Sequence, residues 1–587
     1  MSRSAVAAAA GLAVVVASLW CLTTGRTSVE AWRVPVDYSA DAWYTLATLR
    51  AAEDGHVTPV GRIAVPELGA PYGASWNGFL RQHKLQYGLG GLLARGIGLF
   101  PAANLLVLLA AVLAALSFWA VSVYLGARPE WAFAGGCAFA LSPFFFHRLL
   151  SHLTLSFYWP IPLAILVVTW AFGHRGIEPG SRRFWVAAAI VLVAGLHNIY
   201  FAALLAQFLG FACLTQWLAR RSPRAALGVF ALLAILCAAV LADNTNLLLQ
   251  HASEGPVASL LRPYGNLERY ALKPIELLLP ISDGAIVPWR AAGTSYLRQA
   301  LVRGEMGPVY LGLAGVAALL ALAVAAARAT LGRPARPVPA AALAVAWILA
   351  YSLVGGLNGL LGLSGFVWLR ATSRNSIWIL SLVLLWGVLA ISRTALARQR
   401  TASVIAATVA GALTLADQLP PRTRAGAIRE LGVVLTSDAS FTRSLEAALP
   451  AGAMLFQLPV VDFPEGQRIL GAGDYEHFRP YLHAEQLRFS YGSDKGRPQD
   501  AWQRRVESLE PVAMAGALER MGFAGIVANR KAYPDGLQEL RQVLAALGRL
   551  EAWESPDHDF LFVRLAPDPS PLPPDIVLPP ADGSGSS

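Results

Sequence analysis

Asp37 and Asp41 stand four positions apart in Val36-Asp37-Tyr38-Ser39-Ala40-Asp41-Ala42-Trp43-Tyr44, just beyond the first apolar run of the chain. On a helix that spacing puts both carboxylates on one face. A carboxylate near a membrane surface can serve as general base, taking a proton from an acceptor hydroxyl; helix capping and solvation are the structural alternative. A second group, His147, Arg148 and His152, crowds into a tight turn between two further apolar runs. Ionisable groups at the ends of apolar helices are costly and usually have partners. Arg148 can hold a phosphate, because the planar guanidinium matches phosphate geometry, and His152 can hold a phosphate or a sugar hydroxyl. Snorkelling at the interface would account for them equally. A third pair, Arg370 and Arg374, is again four apart, within Trp368-Leu369-Arg370-Ala371-Thr372-Ser373-Arg374-Asn375. Glu268 and Glu276 lie among Arg262, Arg269 and Lys273, and Glu305 comes shortly before an apolar run.

Other chemistries lack their signatures. The chain has no phosphate-binding glycine loop ending in Lys-Ser or Lys-Thr, no dinucleotide fingerprint and no nucleophile elbow. Gly88-Leu89-Gly90-Gly91 reads as a helix contact rather than a phosphate cradle. Two histidines five apart are weak evidence for a metal, and none is expected. Cys21, Cys137, Cys213 and Cys237 all fall inside apolar runs and read as small buried hydrophobes.

The elements that must position these groups follow from hydropathy. Only 14% of the 587 residues are charged, against about 25% in a soluble domain, and the shortage is confined to the part before Asp417. Runs long enough to approach a bilayer crossing, about 20 residues, fall at 4–24, 100–124, 130–147, 156–173, 184–197, 199–218, 225–243, 308–327, 339–356, 376–392 and 402–416. The 184–218 stretch can form one hairpin with its tip, His197-Asn198, buried in protein. The first run is read as a retained span rather than a signal peptide. The net charge of +10 comes mostly from arginines in short connections, including Arg128, Arg175, Arg220, Arg328 and Arg393. Those connections alternate with the others along the eleven runs, as the positive-inside rule requires. This points to membrane retention, not to nucleic acid. It places the N-terminus in the cytoplasm and the C-terminal domain outside.

The expected fold class is a polytopic α-helical membrane protein of about eleven transmembrane helices with a C-terminal soluble α/β domain. Residues 1–416 form the membrane body, with long outer loops at 25–99 and 244–307. Residues 417–566 form the α/β domain, and 567–587, rich in Pro, Gly and Ser, a disordered tail. The stretch 80–99 alternates apolar and basic positions at helical spacing and suits the membrane interface. In the C-terminal domain, strands are predicted at 453–458, 525–528 and 559–565, and helices at 441–449, 501–521 (as two) and 535–547. The segment from Asp474 to Gly492, with Tyr475, His477, Tyr481, His483 and Tyr491, has the aromatic and polar mixture that stacks on sugars or packs as an ordered loop.

Four passages resemble the GT-C class of polyprenyl-phosphate-sugar-dependent glycosyltransferases, and within it a bacterial family. They are Arg33-Val34-Pro35-Val36 through Asp41 with Leu68-Gly69-Ala70-Pro71-Tyr72-Gly73; His147-Arg148 through His152-Leu153; Glu268-Arg269-Tyr270-Ala271-Leu272-Lys273 through Pro280; and Arg370 through Arg374. Phe456-Gln457-Leu458-Pro459, Tyr481-Leu482-His483 and Ser490-Tyr491-Gly492 are similar to that family's tail. The resemblance implies a catalytic base in the first outer loop at Asp41, with Asp37 second. The class often carries a further acid or histidine in that loop; here Phe79-Leu80-Arg81-Gln82-His83-Lys84 offers His83 and two basic residues. The implied partners are a polyprenyl-phosphate-linked sugar donor, a glycan, lipid or protein acceptor, and the bilayer, with no nucleic acid.

On that basis the expected activity is inverting transfer of a sugar at the outer membrane face. Asp41 acts as base; Arg370, Arg374, Arg148 and His152 hold the donor phosphate; Glu305, Glu268, His83 and Tyr481 contact sugar or acceptor. No cofactor is expected, since arginine can neutralise a lone monophosphate. The rivals are a transporter or flippase of lipid-linked saccharides, which would carry ionisable groups near the bilayer midplane, and a non-catalytic envelope assembly protein, which would not need the Asp41 carboxylate.

Overall fold

A helix stands at each of the eleven predicted positions in the computed structural model of the chain, but the helices differ greatly in length. Leu99–Tyr124 has 26 residues, whereas Pro129–Ala140, Pro160–Phe172, Arg182–Gly195 and Ala340–Ser352 have 12 to 14. Among the described residues six helices are long and apolar enough to cross a membrane: Ala5–Thr24, Leu99–Tyr124, Ile199–Ala219, Pro223–Asp243, Gly312–Leu331 and Thr372–Ile391. The chain is thus a polytopic helical membrane protein. The shorter helices reach only about 18–21 Å at 1.5 Å per residue, and they stop where proline, glycine or polar residues turn the chain. The structure describes residues 3–80, 83–255, 262–280, 287–302, 304–305, 309–332, 337–466, 469–497, 501–534, 537–538, 541–542 and 552–578.

The chain divides into two compact units. One, helical, comprises Met1–Trp32, Asn104–Asp243 and Arg262–Arg424. Small residues let its helices approach closely. A Cβ on Gly195 would meet Ala239 Cβ at 2.6 Å, and one on Gly135 would meet the Phe118 ring at 2.7 Å. The hairpin expected at 184–218 forms as helices Arg182–Gly195 and Ile199–Leu214. Its tip is buried, His197 at 5% and Asn198 at 3% exposure.

The other unit joins Arg33–Ala103, Asn244–Leu261 and Ala425–Ser587. Its N-terminal part holds helix Asp41–Glu53, a ribbon of β1 (Ala64–Val65) and β2 (Ala74–Ser75), and helix Lys84–Ile97. Gly91 lies so close to the backbone of Ala52 that no side chain fits between these two helices, so the glycine cluster is a helix contact. Leu85, Leu89 and Leu92 of helix Lys84–Ile97 are exposed, an apolar stripe at the spacing expected of an interfacial helix.

The C-terminal part is α/β. Strands β3 (Met454–Leu458), β4 (Arg488–Phe489), β5 (Phe523–Asn529), β6 (Ala552–Glu554) and β7 (Phe560–Arg564) form one sheet in the order β4-β3-β5-β7-β6. The β3 strand pairs parallel to β4 and β5, while β7 runs antiparallel to β5 and β6. Every residue of β5 is buried, the mark of a central strand covered on both faces. Phe456, Ile526 and Leu561 pack with Trp502, Met514 and Leu518 from the helices. The predicted helix at 441–449 is the end of a longer one, Ala425–Ala448, and the predicted helix at 535–547 falls largely outside the described residues. In the tail, where composition predicts disorder, the Asp568 and Leu572 N–H groups donate to the Glu519 and Arg520 carbonyls, at 2.9 Å each, and Val577 is buried.

Beneath helix Ala425–Ala448 lies a buried ion cluster. Arg479, 1% exposed, contacts Asp438, Glu476, Asp557 and Asp559 at 2.6–2.9 Å. Burial alone would lower the guanidinium's pKa, but the carboxylates, led by Asp438, raise it. Tyr38, from the first loop, donates its hydroxyl to Asp438 Oδ2 at 2.7 Å.

Candidate functional site

Arg374 belongs to a 3-10 turn, Thr372–Asn375, that opens helix Ser376–Ile391. The turn is pinned on three sides. Thr372 Oγ1 donates to the Ser352 carbonyl at 2.7 Å, Asn375 Nδ2 to Ser352 Oγ at 2.9 Å, and Ser373 N–H to the Tyr270 carbonyl at 3.1 Å. Arg148 sits in the turn after the short helix Pro143–Phe146. It is buried to 3% exposure, and its carbonyl accepts the His152 N–H at 2.9 Å.

These two arginines converge on Glu305. Arg148 Nη2 donates to Oε2 and Arg374 Nη2 to Oε1, both at 2.6 Å, while Arg374 Nε reaches Oε2 at 3.2 Å. Each guanidinium also rests on a ring: Arg148 lies 5.2 Å from the Phe144 centroid and Arg374 4.9 Å from that of Tyr200. Burial would raise the Glu305 pKa, but Arg148 and Arg374 together hold it well below the usual carboxylate range. His152 is pushed down to about 3, first by burial and then by the same two guanidiniums, so its imidazole stays neutral at physiological pH. Among the described residues the group holds two cations, one carboxylate and one neutral imidazole, a net charge of +1. Such a group receives oxyanions, and guanidinium pairs do so with directional, charge-assisted hydrogen bonds.

Arg370 lies over the Tyr270 ring at 5.2 Å, and Arg269 over the same ring at 5.6 Å. Glu268 is exposed on the short helix Gly265–Arg269. Glu305, expected among the sugar or acceptor contacts, has both carboxylate oxygens engaged by the arginines. Sequence reasoning missed Tyr200, Tyr270 and Phe144, which carry the guanidiniums. An aromatic beside each predicted turn was the available signal.

In the second unit, Asp41 is the first residue of helix Asp41–Glu53, directly after Ala40 with its positive φ of 41°. The helix starts too late to include Asp37, so the two carboxylates do not share a helical face. Asp37 accepts the Ser39 hydroxyl at 2.7 Å instead. Asp41 lies near Tyr475: burial first, and then the Asp41 carboxylate, push the Tyr475 phenol up. Tyr44 completes this surround, with its ring 5.3 Å from that of Tyr475. His83 is buried at the start of helix Lys84–Ile97. Arg81 and Gln82 of the same passage lie outside the described residues. Tyr481 is buried at 1% exposure in the short helix Phe478–Tyr481.

No protein-family model and no curated protein matches the chain. Solved structures do. Over 98% of its length the chain is similar to the whole of ArnT from Cupriavidus metallidurans bound to undecaprenyl phosphate, at 14% identity and a TM-score of 0.42. It is similar over 89% of its length to 70% of the Archaeoglobus fulgidus oligosaccharyltransferase in the apo form, at 10% identity and a TM-score of 0.43.

Proposed function

We propose that this protein is a membrane glycosyltransferase of GT-C type that moves a sugar from a polyprenyl-phosphate donor to a glycan, lipid or protein acceptor at the outer face of a bacterial inner membrane. The observation that carries the reading is the clasp of Arg148 and Arg374 on Glu305. An internal carboxylate already occupies an oxyanion site, and a phosphate monoester offers the same guanidinium-matching oxygens. Asp41 is the base. As it takes the acceptor's hydroxyl proton, the acceptor oxygen attacks the anomeric carbon and the bond from that carbon to the phosphate oxygen breaks. Polyprenyl phosphate leaves with the bonding electrons, its added charge stabilised by the arginines. One displacement inverts the anomeric centre.

A transporter fits less well. Arg374 lies in the first turn of its apolar span, and Arg328 in the last turn of helix Gly312–Leu331; Leu99–Tyr124 has no ionisable group except the terminal Tyr124. Ionisable groups therefore gather at helix ends, away from the midplane sites of transporters.

The test is transfer by the purified full chain with a panel of polyprenyl-phosphate sugars, reading both product and anomeric configuration. Product with inverted configuration is expected. No product from any donor, together with movement of lipid-linked saccharide across vesicles, would replace the enzyme with a transporter. A reporter fused after Leu565 checks the sidedness; activity confined to the cytoplasm would overturn it.

A further inference from the structure

A cavity of about 790 Å³ lies within the helical unit among helices Pro160–Phe172, Ile199–Leu214, Ala340–Ser352 and Ser376–Ile391. Its walls are apolar, built by Phe208, Phe211, Trp347, Trp378, Leu382 and Leu385. Two cations line it, Arg220 and Arg393. Chain direction puts both at one end. Gly173, Arg220 and Arg393 follow the last residues of three helices running one way, and Ala340 opens the helix running back. This end belongs to the arginine-rich connections. It is opposite to Arg374, which opens the same helix that Arg393 follows.

Arg220 is set up for a ligand in two independent ways. Its Nη1 is buried and has no hydrogen-bond partner, a costly arrangement unless something accepts from it. It also directly follows a π-helical turn, Thr215–Ala219, a rare local form that frequently marks functional sites. Gln216 locks that turn by donating Nε2 to the Ala171 carbonyl at 2.7 Å and the Gly173 carbonyl at 3.0 Å. From Trp378 to Leu389 the helix rises about 16 Å, close to the hydrocarbon depth of one leaflet, about 15 Å.

We propose that this cavity binds one anionic phospholipid, with its phosphate on Arg220 and Arg393 and an acyl chain along the aromatic wall to Trp378. Basic pockets between transmembrane helices hold anionic headgroups in this way. A phospholipid fits better than the polyprenyl donor. The cations stand at the end of helix Ser376–Ile391 away from Arg374, and the apolar depth is that of a single leaflet.

The experiment is native mass spectrometry of the purified full chain titrated with dioleoyl phosphatidylglycerol, dioleoyl phosphatidylcholine and undecaprenyl phosphate. One phosphatidylglycerol per chain is expected, bound roughly 10-fold or more tightly than phosphatidylcholine. Arg220→Gln with Arg393→Gln should abolish that preference, since each basic group near an anionic headgroup contributes several-fold. Ala344→Trp, which fills the cavity, should weaken both phospholipids. Equal affinity for the two phospholipids, or an unchanged preference in the double variant, overturns the proposal. Displacement of phosphatidylglycerol by undecaprenyl phosphate in the wild type, lost in Ala344→Trp, would assign the cavity to the donor lipid and overturn it too. If the double variant does not fold, exposed Arg393→Gln and the conservative Arg220→Lys decide: a reduced preference in the first and a retained one in the second support the site, and any other pattern sinks it.

Discussion

Arg148 and Arg374, more than two hundred positions apart, share the carboxylate of Glu305, each donating to a different oxygen at 2.6 Å. Removing the carboxylate leaves two guanidiniums without the counter-charge they share. Breaking such a pair from one side typically costs about 3–5 kcal/mol when it is buried, and Glu305 keeps 17% exposure, so the lower part of that range applies. Glu305→Gln is therefore expected to melt several degrees below the wild type and to recover when polyprenyl phosphate is added. Melting curves with and without that lipid check this; identical curves for variant and wild type would show that the carboxylate is not the arginines' counter-ion.

The pH dependence of the same contact has a definite sign. Glu305 titrates lower in the folded protein than its ordinary value near 4.5. Its contribution to stability is present above that ordinary value and disappears as the pH falls through the depressed one. The difference in unfolding stability between wild type and Glu305→Gln should hold steady from pH 8 to 5 and collapse only in stronger acid. A difference that fades between pH 7 and 5 would contradict the assignment.

Arg374→Lys keeps the charge but loses the two-toothed contact made by Nη2 and Nε. Lysine is a point charge without the planar fork. The expected result is a rise of about 10-fold in the donor KM with little change in the acceptor KM, read from initial rates at varied donor and acceptor. Equal effects on both substrates would speak against a phosphate ligand.

Asp41→Asn preserves shape and removes basicity. A general base contributes about 10²–10⁴-fold, so transfer should fall by that factor while expression, insertion and donor binding persist. Asp37→Asn should do less, since Asp37 is tied to Ser39 and lies outside the helix. Product formation at matched protein levels decides it; full activity in Asp41→Asn removes Asp41 as base. A lower melting temperature in Asp41→Asn with proportionate loss of activity would mark a cap instead.

Arg479→Met should be among the most damaging changes in the C-terminal domain. It takes the shared cation from Asp438 and Glu476, at 1% and 3% exposure, leaving Glu476 with Lys531. A loss of about 3–5 kcal/mol is expected, partly restored by adding Asp438→Asn. Proteolysis of the domain in membranes reads this out, and a fully protected Arg479→Met would sink it.

Much of this was legible in the sequence because hydropathy and arginine placement are strong one-dimensional signals. The eleven helix positions, the buried His197-Asn198 tip and the strands at 454–458, 523–529 and 560–564 followed from run length and alternation. The turns holding Arg148 and Arg374 were visible as charge in apolar surroundings, but their meeting at Glu305 was not, since nothing local to any of the three encodes the other two. Whether Asp37 and Asp41 share a helical face stayed open in the sequence because spacing does not say where a helix begins; the positive φ at Ala40 delays it to Asp41. Composition also gave no hint that the first long loop shares a compact unit with the C-terminal domain, because both are ordinary soluble sequence. Composition likewise does not show that the Asp568 and Leu572 N–H groups of the tail find carbonyls on the helix Pro511–Arg520.

The hydrogen bond between Tyr38 and Asp438 closes a span of 400 positions. A ribosome adding roughly 5–20 residues each second needs about 20–80 s to travel that distance. Throughout that interval the segment bearing Asp41 has been made but the residues it packs with have not. Maturation of the proposed base is therefore governed by residues synthesised long after it, and a nascent chain stalled before Asp438 would hold the six long apolar helices found among the described residues and still lack Tyr475 beside Asp41.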